Sequence, residues 1–312
     1  MLLFWIIFLL IIAAFLAIDL GVFHKADAVV SLREALTWTF IWIALSLIFS
    51  IGIYFIYENG YAVSTSHTSG MDATLAFLTG YVIEKSLSLD NIFLFSAIFT
   101  FFRIPEKSQH RVLFWGIFGA IVLRGLFIWA GTALIEQFHW VMYVFGAILL
   151  LSSFRMIRQK RDDDNQDVGY LVYKIKNLFP ISQRLHGKRF FICLNGKILV
   201  TPLFVALISV ELSDLLFAMD SIPAIFSITR DPFIVYTSNI MAILGLRSLY
   251  FALAALLRKF TALKYSIAFI LGFSGLKILL DEIYRIPVIP SLLVILVALA
   301  IGILYPSKKL PT

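Results

Sequence analysis

The sequence predicts an all-α membrane protein with about nine transmembrane helices, six of them forming two inverted three-helix repeats. Three observations lead there: the composition, the spacing of the apolar runs, and an internal repeat that carries acidic residues through apolar helices. Hydrophobic residues make up 61% of the 312-residue chain and charged residues only 14%. A soluble domain is about half apolar and about a quarter charged, so an ordinary globular protein is excluded.

The apolar residues gather into runs close to the ~20 residues that cross a hydrocarbon core of about 30 Å. They fall at roughly 2–22, 35–57, 74–102, 111–135, 138–156, 198–228, 235–257, 262–284 and 288–305. No basic residue precedes the first run, and it is longer than a signal-peptide core. It therefore reads as a retained helix, despite the cleavage-like Ala26-Asp27-Ala28. The second helix opens at Ser31-Leu32-Arg33-Glu34, a capping-box pattern. Residues 58–73 are rich in Ser, Thr, His and Gly and read as an external loop with an acid at each end, Glu58 and Asp72.

Residues 157–197 form the one sizeable connector. It begins as a charged linker and ends with apolar stretches flanking Asn195-Gly196, a strong signal for a two-stranded ribbon. The chain thus divides into two N-terminal helices (1–57), a first repeat (74–156), the connector (157–197), a second repeat (198–284) and a last helix with its tail (288–312).

Basic residues occupy alternate loops: Lys25 and Arg33; Arg103, Lys107 and Arg111; the connector; Arg258, Lys259 and Lys264; then Lys308 and Lys309. That positive-inside pattern places the N-terminus outside and the C-terminus in the cytoplasm. The net charge of +7 therefore reports topology rather than a nucleic-acid partner. The single cysteine, Cys193, cannot form an intrachain disulfide.

The repeat is read from three helices in order. Glu84, Asp90 and Asn91 align with Asp214, Asp220 and Ser221; Arg124 with Arg247; and Tyr143, Ser152 and Arg155 with Tyr265, Ser274 and Lys277. Three helices per unit is an odd number, so the second copy runs upside down relative to the first. Inverted repeats with a site near the midplane are a signature of secondary transporters.

An ionisable side chain inside the bilayer is costly and is a functional candidate by default. The acids here are Asp19, Glu84, Asp90, Glu211, Asp214 and Asp220, against Lys85, Arg124 and Arg247 at depth. On a helix, Glu84 and Asn91 fall within about 20° of one face, and Asp214 and Ser221 do the same, with Asp90 and Asp220 turned aside. Pro223 removes a backbone donor and frees a carbonyl close by. Carboxylate, amide, hydroxyl and carbonyl oxygens are hard ligands suited to Mn2+, Mg2+ or Ca2+. The polar groups Asn91, Ser221, Ser86 and Ser88 equally suit interhelical hydrogen bonds, and Arg124 and Arg247 suit structural pairing with acids. Asp19, near the end of its helix, could snorkel to the interface.

Three stretches carry a family resemblance: Gly80-Tyr81-Val82-Ile83-Glu84-Lys85-Ser86-Leu87-Ser88-Leu89-Asp90-Asn91, Glu211-Leu212-Ser213-Asp214-Leu215-Leu216-Phe217-Ala218-Met219-Asp220-Ser221-Ile222-Pro223-Ala224, and Ser238 to Phe251. They resemble the signatures of the TerC family, which includes an Alx branch. The resemblance implies a bacterial inner-membrane protein of a superfamily that contains manganese exporters. Its acidic motif positions fall on Glu84, Asp90, Glu211, Asp214 and Asp220, with Asn91 and Ser221 adjoining.

The expected function is efflux of a divalent cation, Mn2+ foremost, through an acidic midplane site built from Asp90, Asp220, Glu84, Asp214, Asn91, Ser221, Glu211 and Asp19. The cation is cargo; no cofactor, catalytic residue or enzymatic activity is expected. The expected partners are the metal ion and the lipid bilayer. Transport of another cationic solute, such as an amino acid, is one alternative; a non-transporting scaffold for metal delivery to exported proteins is the other.

Overall fold

Each apolar run becomes helix, because a chain in hydrocarbon has to satisfy its backbone polar groups internally. The computed structural model describes residues 2–23, 32–61, 69–138, 140–158, 181–182, 185–187, 189–194, 197–253, 263–281, 283–284 and 286–304. Helices cover Leu2–Phe23 (α1), Leu32–Glu58 (α2), Gly70–Phe101 (α3), Glu106–Gln137 (α4) and Val141–Arg158 (α5). After the ribbon strands Phe191–Leu194 (β1) and Lys197–Val200 (β2) come Pro202–Phe226 (α6), Pro232–Leu244 (α7), Leu246–Leu253 (α8), Leu263–Leu280 (α9) and Val288–Leu304 (α10). Among the described residues, five spans are long and apolar enough to cross a membrane, and three shorter apolar helices accompany them.

Several helices begin earlier than their apolar runs, because polar caps extend them. Ser69 caps α3, its hydroxyl accepting from the Asp72 amide at 3.1 Å and donating to the Asp72 carboxylate at 2.8 Å. Glu58 accepts from the Gly70 amide at 2.9 Å. The two loop acids are therefore each engaged at the start of α3. Asp231 caps α7, accepting from the amides of Phe233 and Ile234 ahead of a helix-starting proline. Its other oxygen accepts from the Tyr57 hydroxyl at 2.7 Å, tying α2 to this end of the bundle.

The run expected as one helix over 235–257 is broken at Gly245. A Cβ there would lie 2.9 Å from Lys85 Nζ and 3.1 Å from Trp42 Cβ. Lys85 uses that space to donate to the Ala242 carbonyl at 3.1 Å, at the end of α7 where carbonyls lose their helical partners. The predicted ribbon is present, antiparallel, with Phe191 opposite Val200 and Leu194 opposite Lys197. Its turn at Asn195-Gly196 and the capping serine Ser31 lie outside the described residues.

Helices α3, α4, α6 and α7 pack around a common centre, while α5 and α9 pair closely. The α5–α9 crossing brings backbones together: a Cβ on Gly275 would lie 2.9 Å from the Gly146 carbonyl. Its contacts are reciprocal under the repeat alignment. The Gly146–Gly275 contact has its counterpart in Ser153 and Ala268, where the serine hydroxyl donates to the carbonyl at 2.7 Å. The approach of Gly272 to Ser153 has its counterpart in that of Gly275 to Leu150.

Candidate functional site: a charged hub between helices of both halves

Glu84 on α3 and Asp214 on α6 are buried, at 1% and 3% exposure, and face the same guanidinium, that of Arg124 on α4. Arg124 forks onto Asp214, its Nε donating to Oδ2 at 2.9 Å and its Nη2 to Oδ1 at 2.7 Å. Its Nη1 donates to Glu84 Oε1 at 2.5 Å and to Asn239 Oδ1 at 2.7 Å. Asn239, on α7, closes the ring by donating through Nδ2 to Glu84 Oε2 at 3.1 Å. Weaker contacts come from Asn91 Nδ2 to Asp214 Oδ1 and from Ser88 Oγ to Glu84 Oε1, both at 3.4 Å. Four helices therefore meet in one polar hub. With two carboxylates and one guanidinium, its formal charge is −1.

A planar guanidinium suits this position because it can satisfy two carboxylates and an amide at once. Removing one partner from such a buried pair strands a charge and costs about 3–5 kcal/mol. The hub therefore fixes the relative placement of α3, α4, α6 and α7.

The remaining sequence-predicted residues lie elsewhere. Asp220, six residues after Asp214, faces α5 and accepts from Ser152 Oγ at 2.6 Å. Glu211, one turn before Asp214, lies flat on α4 with its carboxylate over Gly119, in the space a Cβ would take. Its Oε2, Asn91 Oδ1 and Ser221 Oγ are buried without a hydrogen-bond partner. Asp19 and Asp90 belong to α1 and α3, but their side chains lie outside the described residues. The structure thus brings Glu84, Asp214 and Asn91 together and separates Asp220 from them. Among the described residues no three His, Cys, Asp or Glu side chains converge as a ready metal cluster.

Beside the hub is a cavity of about 10 Å3, the size of one water molecule. Its wall includes Asp214, Arg247, Gly116 and Ala120. Asp214 thus has Arg124 as its ion-pair partner and shares the cavity wall with Arg247.

Sequence reasoning left two functional contacts unassigned. Asn239 was visible only as a polar residue in an apolar helix, and Ser152 only as a repeat position. A buried amide midway along an apolar span is the signal that could have found the first.

Apolar helices around a buried, hydrogen-bonded charge cluster define an integral all-helical membrane protein. The chain belongs to the TerC family: the model of the integral membrane protein TerC family matches residues 69–309, more than half of its length. An uncharacterized membrane protein of Myxococcus xanthus is 44% identical over 311 residues, covering 99% of this chain and 94% of that protein. Relatives in Photorhabdus laumondii and Escherichia coli K12 carry the name "Putative membrane-bound redox modulator Alx". They are 44% and 43% identical, each covering 92% of this chain and 89% of the relative. No solved structure matches the chain.

Proposed function

We propose that this protein exports a divalent cation, Mn2+ foremost, from the cytoplasm across a bacterial inner membrane. The observation that carries the reading is the hub itself: one helix from each half brings a buried carboxylate to the same point, Glu84 from α3 and Asp214 from α6. Charge at that depth is costly and is retained where it serves a pathway. Asp90 and Asp220 act as the central cargo ligands; Glu84 and Asp214, on the same two helices, are held by Arg124 and frame the path, and Asn91 and Ser221 add neutral oxygens. Glu211 and Asp19 act as second-tier ligands or proton carriers. Oxygen donors of this kind suit Mn2+ better than softer metals.

The accompanying topology is nine spans, with the N-terminus outside, the C-terminus cytoplasmic and the two halves inverted. Reciprocal contacts across α5 and α9 support the relation between the halves. Cells loaded with manganese should hold less of it when they make the protein. Asp90→Asn and Asp220→Asn should each abolish that difference while the protein still accumulates in the membrane. Full export by either variant at normal abundance would overturn the site assignment.

The names of the Alx relatives favour a second reading, redox modulation. Cys193 is the single thiol of this chain. Cys193→Ser should leave manganese export intact under the first reading and alter the cell's thiol balance under the second.

A further inference from the structure

Buried polar atoms without partners cost about 1–3 kcal/mol each and call for an explanation. Ser221 and Ser274 are both 1% exposed, and neither hydroxyl has a hydrogen-bond partner. Both belong to the second repeat. Their first-repeat counterparts, Asn91 and Ser152, are engaged: Asn91 donates to Asp214, and Ser152 donates to Asp220.

The repeat alignment turns this imbalance into a rule. Exchanging the copies carries Asn91 and Asp214 onto Ser221 and Glu84, and Ser152 and Asp220 onto Ser274 and Asp90. It carries Arg124 onto Arg247 and leaves the Glu84–Asp214 pair mapped onto itself. Arg247 already shares the wall of the small cavity with Asp214 and is 3% exposed.

We infer that Arg124 and Arg247 are alternative counter-cations for the one carboxylate pair Glu84–Asp214, and that the structure holds the Arg124 form of a two-state exchange. In the other form Arg247 forks onto Glu84 and reaches Asp214 through its remaining nitrogen, while Ser221 donates to Glu84. The pair stays neutralised to the same degree in both forms, so the exchange leaves no buried carboxylate stranded. Asn239 biases the balance: it holds both Arg124 and Glu84, and its aligned position on α4 is Gly116, which offers no side chain. The exchange rests on the transport reading, where it is the step that swaps the roles of the two halves.

The test uses a Cys193→Ser background with Ile243→Cys, which places one thiol on the cavity wall. Labelling by a membrane-impermeant thiol reagent is measured from each face in right-side-out and everted vesicles, beside membrane abundance. Arg124→Gln should accumulate, because Arg247 takes its seat, and should raise labelling from one face about fivefold or more. Arg247→Gln should accumulate without that rise, and the double variant should be lost from the membrane. Loss of Arg124→Gln to the level of the double variant would overturn the exchange; so would an equal rise in both single variants. The readout needs no cargo, so it reports on the exchange even if manganese is not what the protein carries.

Discussion

Asp214 and Asp220 lie on one helix, six residues apart, and have different surroundings. Six residues turn the helix by about 240° and advance it about 9 Å, so the two acids leave α6 on different flanks. Asp214 faces α4 and is held by a two-pronged guanidinium contact, with a weaker amide contact from α3. Asp220 faces α5, accepts one hydrogen bond from a serine hydroxyl and has the exposed Arg155 as its nearby cation. The difference separates two uses of the same residue type. A carboxylate already paired with a fixed cation holds helices together, whereas one held by a neutral donor keeps its charge available for an incoming ion.

Paired substitutions test that separation most severely. Asp214→Ala should leave Arg124 underpaired and destabilise the protein by about 3–5 kcal/mol, seen as lost membrane abundance and an earlier thermal transition in detergent. Asp220→Asn should keep abundance within about 1 kcal/mol of the unchanged protein, since its hydrogen-bond donor is a neutral hydroxyl and the nearby cation, Arg155, is exposed and screened by water. Equal losses of abundance would collapse the comparison.

A smaller effect is expected at Gly119, where any Cβ meets the Glu211 carboxylate. Gly119→Ala should cost about 1 kcal/mol, the low end of overpacking, because what must shift is the far end of the flexible Glu211 side chain, and Glu211→Ala should restore the thermal transition. Failure of that second change to rescue the first would show that the carboxylate is not what fills the space. The smallest effect is expected for Ser152→Ala, which deletes one hydrogen bond to Asp220 at a cost of about 0.5–1.5 kcal/mol. The same change should alter the manganese concentration needed for half-maximal export, whereas a purely structural hydroxyl would leave that concentration in place.

The fold class was legible because lipid imposes a simple rule on composition, and each apolar run from Leu2 to Leu304 contains helix. Helix starts were less legible: α3 and α4 begin before their apolar runs, where polar residues such as Ser69 and Glu106 sustain the first turn. The break at Gly245 was missed because its cause is tertiary. The Lys85 ammonium reaches the end of α7 from α3, and no pattern within α7 announces it. In the site, the sequence singled out Glu84, Asp214 and Asn91, which meet, and Asp220, which does not join them. Spacing along each helix gives a shared face, but it does not say which neighbour that face meets. Arg124 was expected as a structural partner of acids, and it is bonded to two of them.

Two positions aligned in the sequence also differ in their surroundings. Arg155 is exposed at the end of α5, while its aligned residue Lys277 is buried and donates to Ser291 on α10 at 2.8 Å. The last helix packs against both α9 and α3, so it touches helices from both halves of the chain.

The α5–α9 crossing has a mechanical consequence. Gly146 and Gly275 bring the two backbones together, and the hollows they leave seat Leu279 of α9 on one side and Leu149 and Leu150 of α5 on the other. Knobs seated in hollows resist sliding, so the crossing acts as a clasp between the two helices. A bulky side chain at either glycine would evict those leucines and open the clasp, while leaving the charged hub chemically intact.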